Sequence, residues 1–555
     1  MRFLKSASFV CLVFFSSITA KAADEKTDVD RIISVGRSDS RVMEHLDYLC
    51  NRFGPRLTGS DFLQNASEWT VDTFKSFGIE NARLEQWGEF PVGFNRGPWF
   101  GLMIQPSEKP LHFGTFAWTA GTKGVTRGRV VLVPKSEEEL EKVRPLLNGA
   151  WVFTRRTEAN ARPSAELQKA FDEAVKQAKI AGNVRPSAGQ LIHTGGGPTK
   201  SWDNLPTIPE INLLKKEYDE IAELAAKGEE VILEFDVRNY FKKGPVRLYN
   251  VVADLPGTEW PDEYVIIGGH IDSWDGATGA MDNGTGTAAV IEAARILMQA
   301  GVKPRRTIRF MLWSGEEQGL LGSRGYIKKN PELMSKISAV LVNDGGTNYL
   351  SGLAATEAML SDFEQALAPI KTLDPAMPFN IQKVTGLPRG IGSDHDSFLD
   401  AGVPGFYFSQ RGGRANYNRI HHTHFDTYEG AIPEYQVHSS IVMALAAHGI
   451  ANLDHLLSRD KLLAPRNSIA FGNRRMIGVQ MDELKIEEVL EGTVAVKAGL
   501  KVGDEFLKLD GKKLENREQL IREIQRGDPK RTVTIQRDGK EIEIVLEWPA
   551  PQSKN

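Results

Sequence analysis

The chain has 555 residues, of which 41% are hydrophobic and 8% aromatic, and this length is enough for three or four packed domains of roughly 150 residues each. Its 68 basic and 72 acidic side chains give a net charge of -4, which provides no basic surface for nucleic acid. Two cysteines, Cys11 and Cys50, are too few for a disulfide framework or a cysteine metal site. These values exclude a disordered chain and leave any metal to His, Asp and Glu.

The N-terminal residues have the pattern of a targeting signal. Arg2 and Lys5 precede an apolar run over 7–18, and Ala20-Lys21-Ala22 follows with the small-x-small order of a cleavage site. We predict a signal peptide over 1–22 and an exported protein, periplasmic or secreted, with Cys50 unpaired and buried. The run is shorter than the ~20 residues of a membrane span, so no span is predicted. A glycosylation sequon at 283–285 lies in a loop that is expected to be catalytic. A glycan there would obstruct function, which favours a bacterial exported protein over a eukaryotic secreted one.

Apolar runs alternate with helical patterns in the block from 241 to 457. Strands are predicted at 264–267, 307–313, 339–342 and 403–408, with an apolar helix over 288–297. This alternation predicts an α/β domain with a mostly parallel (mixed) sheet flanked by helices, and residues 23–114 are expected to form its N-terminal part. Ligands of such sheets bind beyond the carboxyl ends of the strands.

The block from 115 to 240 has a different pattern. Strand-like runs at 128–133 and 150–153 alternate with charged helical segments, and residues 164–180 show the spacing of an amphipathic helix. The block contains no cluster of catalytic residue types. We therefore predict a β-rich inserted domain that acts as a lid or an interaction module.

The C-terminal block, 466–550, has the size of a small β-rich module. Strands are expected at 492–496, 532–535 and 542–546, around one helix at 517–524. Residues 498–504 (AGLKVGD) and 509–511 (LDG) resemble the core of a PDZ domain. Such a domain binds an extended peptide or a C-terminus as an added strand, and its carboxylate-binding loop would lie at 475–479.

Candidate metal ligands follow the predicted strands one after another: His270, Asp272, Asp282, Glu316, Glu317, Asp344 and His422. Each alone has an ordinary explanation as a loop, turn or surface residue. Together, two histidines and three carboxylates with a spare glutamate match the needs of two divalent cations that share one carboxylate. Imidazole and carboxylate donors suit two Zn²⁺ ions, and Mn²⁺ or Co²⁺ would accept the same set.

Five motifs make the resemblance specific: 54–60 (GPRLTGS), 270–275 (HIDSWD), 281–284 (MDNG), 313–319 (WSGEEQG) and 421–427 (HHTHFDT). They resemble the co-catalytic dizinc exopeptidase family, and the similarity runs from about Asp30 to Leu457. The inserted block resembles a protease-associated (PA) domain. The resemblance implies the zinc exopeptidase fold for the α/β block.

The resemblance also implies a role for each candidate. His270 and Asp344 would hold one zinc ion, Glu317 and His422 the other, and Asp282 would bridge them. Glu316 would be the general base toward a metal-bridging water, and Asp272 a hydrogen-bonding partner of His270. The His421-His422 doublet leaves the choice of imidazole open, with His422 preferred because Thr423, Asp426 and Thr427 follow it in the family spacing. His424 and the segment 393–395 (SDH) are expected to line or shape the pocket.

The expected activity is hydrolysis of short peptides with a free N-terminus, as an aminopeptidase or dipeptidase. Two alternatives are weighed against it: a non-catalytic peptide-binding or receptor-like protein, and a glutaminyl cyclase, which usually needs one metal. The complete ligand set counts against both. The expected partners are short peptides and a peptide or C-terminus at the PDZ-like domain, and a homodimer is left open.

Overall fold

The computed structural model of the protein describes residues 27–154, 164–199, 201–463, 477–482, 484–489, 493–515, 517–524 and 528–548. The predicted signal peptide, 1–22, lies outside the described residues. Part of the predicted carboxylate-binding loop, 475–476, also lies outside them. Export therefore stays a prediction.

The N-terminal segment packs three helices and one long strand onto the catalytic sheet: α1 (Asp28–Ser38), α2 (Val42–Asp47), α3 (Asp61–Ser76) and β1 (Arg83–Gln105). A capping box begins α1, since the Thr27 hydroxyl accepts from the Asp30 backbone N–H and the Asp30 carboxylate accepts from the Thr27 N–H. Ser60 caps α3 by accepting from the Leu63 N–H at 3.1 Å. The motif over 54–60 therefore ends in a helix N-cap.

The predicted insert, 115–240, and the strands that flank it form a sheet covered by helices: β2 (Lys109–Pro110), β3 (Phe113–Gly114), β4 (Thr126–Leu132), α4 (Glu137–Val143), β5 (Trp151–Phe153), α5 (Ala165–Gln177), β6 (Gly182–Pro186), β7 (Glu210–Leu213), α6 (Lys215–Ala226) and β8 (Ile232–Leu255). Strands β4, β5, β6 and β7 are parallel neighbours. Trp151, Phe153 and Phe235 lie in its separate hydrophobic core. The long strands β1 and β8 pair antiparallel from Arg83–Val252 to Gln105–Ile232, so one ribbon connects the insert to the catalytic sheet.

The catalytic block continues the chain with β9 (Trp260–His270), α7 (Thr285–Gln299), β10 (Arg306–Trp313), α8 (Leu321–Lys329), β11 (Ile337–Val342), β12 (Tyr349–Thr356), α9 (Leu360–Ala366), α10 (Ala368–Lys371), β13 (Asn380–Val384), α11 (His395–Asp400), β14 (Gly405–Tyr407), β15 (Ser409–Arg411), α12 (Tyr417–Ile420) and α13 (Pro433–Ala451). Its strands are ordered β14-β11-β9-β10-β8. The first four are parallel and β8 is antiparallel to β10, which confirms the predicted mixed α/β sheet.

Helices cover both faces of this sheet, which explains the uninterrupted apolar runs in the sequence. Val265 and Ile267 of β9 face the layer that contains α7 and α13, while Ile266 between them faces the layer of α8 and α11. Full burial of such a side chain contributes about 1.5–3 kcal/mol. Among the described residues, every helix is too short or too polar to span a lipid bilayer.

The C-terminal block has its own sheet: β16 (Val479–Asp482), β17 (Lys485–Val489), α14 (Val494–Ala498), β18 (Glu505–Leu509), β19 (Lys512–Lys513), α15 (Arg517–Ile524), β20 (Lys530–Arg537) and β21 (Lys540–Glu547). The strands run in the order β16-β17-β18-β20-β21, all antiparallel. The predicted strand at 492–496 was wrong, because helix α14 begins at Val494. The Lys497 N–H donates to the Thr493 carbonyl at 3.3 Å, four residues earlier as in a helix, and Gly499 ends the helix at φ 76°.

Candidate metal centre

The predicted ligands converge at the carboxyl edge of the catalytic sheet. Strand β9 ends at His270, the turn after β10 carries Glu316 and Glu317, and Asp344 follows β11 by two residues. Parallel strands bring their carboxyl ends to one edge, so residues far apart in sequence meet there.

One half of the site forms around His270, which is buried. Its Nε2 lies 3.1 Å from Asp282 Oδ1 and 3.2 Å from Asp344 Oδ1. Its Nδ1 lies 3.0 Å from the backbone carbonyl oxygen of Asp272, so this carbonyl orients the ring and directs Nε2 toward the two carboxylates.

The other half forms around His422. Its Nε2 lies 3.0 Å from Asp282 Oδ2 and 3.0 Å from Glu317 Oε2. The adjacent imidazole of His421 stacks on that of His422 and its Nε2 lies 3.4 Å from Asp282 Oδ2, but it has no ion pair with Glu317. The backbone N–H of Trp274 donates to the second oxygen of Glu317, at 3.2 Å. These distances favour His422 over His421 as the ligand, as the family spacing implies.

Asp282 belongs to both halves, with one carboxylate oxygen toward each histidine. Its peptide bond to Asn283 is cis. Asp282 Oδ2 is buried and makes no hydrogen bond to the described residues, although His422 is near. A buried carboxylate oxygen without a donor calls for a cation. The imidazole and carboxylate donors on both sides of Asp282 therefore fit two divalent metal ions.

The pKa values of the buried carboxyl groups also fit a site that binds cations. Burial raises the pKa of Glu317 to about 8, and the negative charge of Asp282 adds to this effect. Burial opposes ionisation of Asp282 too, but His270 and His422 outweigh it and lower the pKa of Asp282. Burial also raises the pKa of Asp394 to about 7. The pocket therefore concentrates more acidic groups than its two imidazoles neutralise.

Glu316 differs from its neighbour Glu317 in having no fixed partner for its carboxylate among the described residues. Within the described residues its carboxylate makes no hydrogen bond or salt bridge, whereas its backbone N–H donates to Asp272 Oδ1 at 3.3 Å. Burial raises the pKa of Glu316 well above its ordinary value; the positive charge of His270 opposes this effect, and the negative charges of Asp344 and Glu317 add to it. A free carboxyl group with a raised pKa suits a proton acceptor near neutral pH.

The carboxylate of Asp272 supports the glutamate turn more directly than it supports His270. It accepts from the Thr58 hydroxyl at 2.8 Å and from the backbone N–H groups of Glu316 and Glu317, both at 3.3 Å. Its nearest oxygen is 3.6 Å from His270 Nδ1. Asp272 thus fixes the turn that carries the two glutamates.

Two supporting residues had no assigned role in the sequence analysis. The fully buried guanidinium of Arg56 donates to backbone carbonyls of Ile271, Leu49, Gly54, Thr278 and Gly279. The carboxylate of Asp426 accepts from the N–H of Met281 at 2.6 Å and of Asp282 at 3.3 Å. Arg56 lies in the motif 54–60 and Asp426 in the motif 421–427, and membership of these motifs was the one sign in the sequence that they matter.

Buried polar groups also flank the site near α11. Within the described chain, neither carboxylate oxygen of Asp394 and neither ring nitrogen of His395 makes a hydrogen bond. The hydroxyl of Tyr407 donates to the backbone carbonyl of Asp344. The charge of Asp394 adds to the raised pKa of Glu316, and the ring of His395 lies 5.3 Å from that of Tyr407, so segment 393–395 lies beside the site and its role in shaping the pocket stays a prediction.

An open groove of about 840 Å³ lies between the insert and the catalytic block. Apolar side chains next to the insert core, among them Trp99, Leu111 and Phe113, face Phe425 and Gly276 of the catalytic block. Among the residues that the structure describes, no Asp, Glu, Lys or Arg lines it. The groove therefore suits apolar side chains of a ligand that is bound next to the acidic metal centre.

Comparisons with known proteins agree with this geometry. Residues 250–446 match the model of peptidase family M28, and residues 473–547 match a PDZ domain. Carboxypeptidase Q of Mus musculus is 29% identical over 454 residues, which cover 80% of this chain and 93% of that protein. Carboxypeptidase Q of Homo sapiens is 28% identical over 449 residues, covering 79% and 91%.

A solved structure shows the same fold. The peptidase M28 precursor from Shewanella amazonensis superposes with a TM-score of 0.56 at 24% identity, over 79% of this chain and 98% of that chain. The fold and the site together define a metallo-exopeptidase. Residues 250–446 therefore match peptidase family M28 and residues 473–547 match a PDZ domain, which confirms the resemblance inferred from the motifs.

Proposed function

We propose that the protein is an exported, zinc-dependent aminopeptidase or dipeptidase that hydrolyses short peptides with a free N-terminus. The observation that carries the proposal is the position of Asp282, whose two carboxylate oxygens face the imidazoles of His270 and His422 at 3.1 and 3.0 Å. A carboxylate shared in this way supports a two-cation centre.

In this proposal, His270 and Asp344 hold one cation, Glu317 and His422 hold the other, and Asp282 is common to both. Bound cations supply Lewis acidity toward the scissile carbonyl and increase the acidity of water. Glu316 accepts a proton from the attacking water and returns it to the leaving amine. Asp272 keeps Glu316 in position through the backbone N–H groups of the turn.

The charge of the pocket supports specificity for the amino end of the substrate. Within the described residues, no Lys or Arg lies within 4 Å of a carboxylate oxygen of Asp282, Glu316, Glu317 or Asp344. A C-terminal carboxylate would need such a cation, whereas an α-ammonium group is attracted by the acidic groups. We therefore propose amino-end cleavage even though the mammalian relatives bear the name carboxypeptidase Q.

A paired substrate experiment tests this proposal. Peptides with free N-termini and their N-acetylated copies are incubated with the purified protein, and the released amino acids are quantified. We expect cleavage of the free peptides only, loss of activity with a chelator, and recovery with Zn²⁺, Mn²⁺ or Co²⁺. Equal cleavage of acetylated peptides, or activity that a chelator leaves unchanged, would contradict the proposal.

The accessory domains extend the proposal to peptide capture. The insert has a separate core and supports assignment as a PA domain. In the PDZ domain, β16 is an edge strand within the described residues, so a C-terminal peptide would add beside it. Fluorescence anisotropy with free-carboxylate and amidated peptides tests this mode, since only the free carboxylate should bind.

A further inference from the structure

His422, a proposed metal ligand, has a backbone conformation that is unusual for a residue other than glycine. Its φ is 53°, in the left-handed region that residues other than glycine rarely adopt. In this conformation its Nε2 reaches both Asp282 and Glu317 at 3.0 Å. Surrounding contacts must therefore hold the backbone at His422.

The contacts come from the insert. The Thr194 N–H donates to the His422 carbonyl at 2.9 Å. Among the described residues, the backbone of His422 is thus hydrogen-bonded to Thr194 of the insert. On the other side of the turn, the His424 N–H donates to the Ile192 carbonyl at 2.9 Å. His193 and Thr423 between them form an antiparallel β-bridge.

The side chain of His424 strengthens the same pairing. Its Nδ1 accepts from the Ile192 N–H at 3.1 Å, so Ile192 and His424 are joined through both backbone and side chain. His424 makes no ion pair with the carboxylates of the centre. It acts on the site through the backbone of segment 422–424.

We infer that residues 192–194 of the insert are part of the metal centre, because they fix the turn that presents His422 to the second cation. Ile192, Thr194 and His424 are positioning residues in this inference, which rests on the proposed function. The pairing contacts neither His270 nor Asp344. Its loss should therefore weaken one cation site and spare the other.

Thr194→Pro tests the inference in the full-length protein, because proline lacks the N–H that donates to His422. Thr194→Ala is the matched control, since alanine keeps this N–H. Metal affinity is measured by titrating the metal-free proteins with Zn²⁺ against a chromophoric chelator. Partners that orient metal ligands contribute roughly 10–100-fold to affinity. We expect Thr194→Pro to weaken one of two sites by that factor and Thr194→Ala to leave both within about twofold.

A second pair of variants, at His424, tests the inference even if the proline variant does not fold. His424→Ala removes the acceptor of the Ile192 N–H, while His424→Asn retains an acceptor near Nδ1. Selective weakening of one site by His424→Ala and its rescue by His424→Asn would support the inference. Two sites of unchanged affinity in both Thr194→Pro and His424→Ala would overturn it, as would equal weakening of both sites. A wild-type protein that binds fewer than two cations would instead overturn the proposed function, and the inference with it.

Discussion

Replacing Glu316 by glutamine should separate proton transfer from metal binding. Within the described chain, the Glu316 carboxylate has no hydrogen bond and no histidine within 4 Å. Its link to Asp272 is through the backbone N–H, which glutamine keeps. The change is nearly isosteric, so we expect the metal content and the folded structure of Glu316→Gln to match the wild type.

The loss of rate follows from the role of the removed group. General acid–base catalysis contributes typically about 10²–10⁴-fold, which is about 2.7–5.4 kcal/mol of activation free energy. Because Glu316 acts on the reacting water rather than on the resting substrate, the loss should fall on kcat and leave KM nearly unchanged.

The assay measures release of the N-terminal residue from a free peptide and the metal equivalents per chain. Glu317→Gln is the matched control, because the same chemical change one residue along removes a proposed ligand and should lower the metal content. Turnover of Glu316→Gln within tenfold of wild type would refute the assignment. A loss of metal equal to that of Glu317→Gln would also refute it.

Four further substitutions test the rest of the site. Asp282→Ala removes the shared carboxylate and should reduce bound zinc from two equivalents toward none, and retention of both would contradict the shared role. His422→Ala should lose one equivalent while His421→Ala keeps two; the reverse result would move the ligand to His421. Arg56→Met leaves buried carbonyl groups without donors, so we expect a loss of at least about 1–3 kcal/mol in unfolding free energy. Chemical denaturation measures this loss, and a change under 1 kcal/mol, roughly the net value of one ordinary hydrogen bond, would argue against a supporting role.

The strands of the catalytic sheet could be predicted because helices cover both sheet faces. Each strand is then apolar at successive positions, and β10 and β11 match their predicted runs to within a residue or two. The strand predicted over 403–408 is shorter in the structure, at Gly405–Tyr407. The helix α14 was mistaken for a strand because the run predicted as a strand, 492–496 (GTVAV), has only small and β-branched residues and is too short for its apolar spacing to distinguish a helix from a strand.

The sequence by itself determined the chemistry available to this protein. With two cysteines, any metal had to lie on histidines and carboxylates, and the order of the motifs indicated which ones. Placing them after successive parallel strands was enough to predict one shared edge. This part was predictable because it depends on residue type and local order.

Only the tertiary structure decided how these side chains are arranged. It alone shows that Asp282 divides its oxygens between two imidazoles, that Asp272 holds the glutamate turn, and that the insert pairs with the turn of His422. Ile192 and His424 are 232 residues apart, and their contact depends on backbone groups that every residue possesses. Such long-range backbone contacts leave no pattern in the sequence, because the chain must fold before the two segments meet.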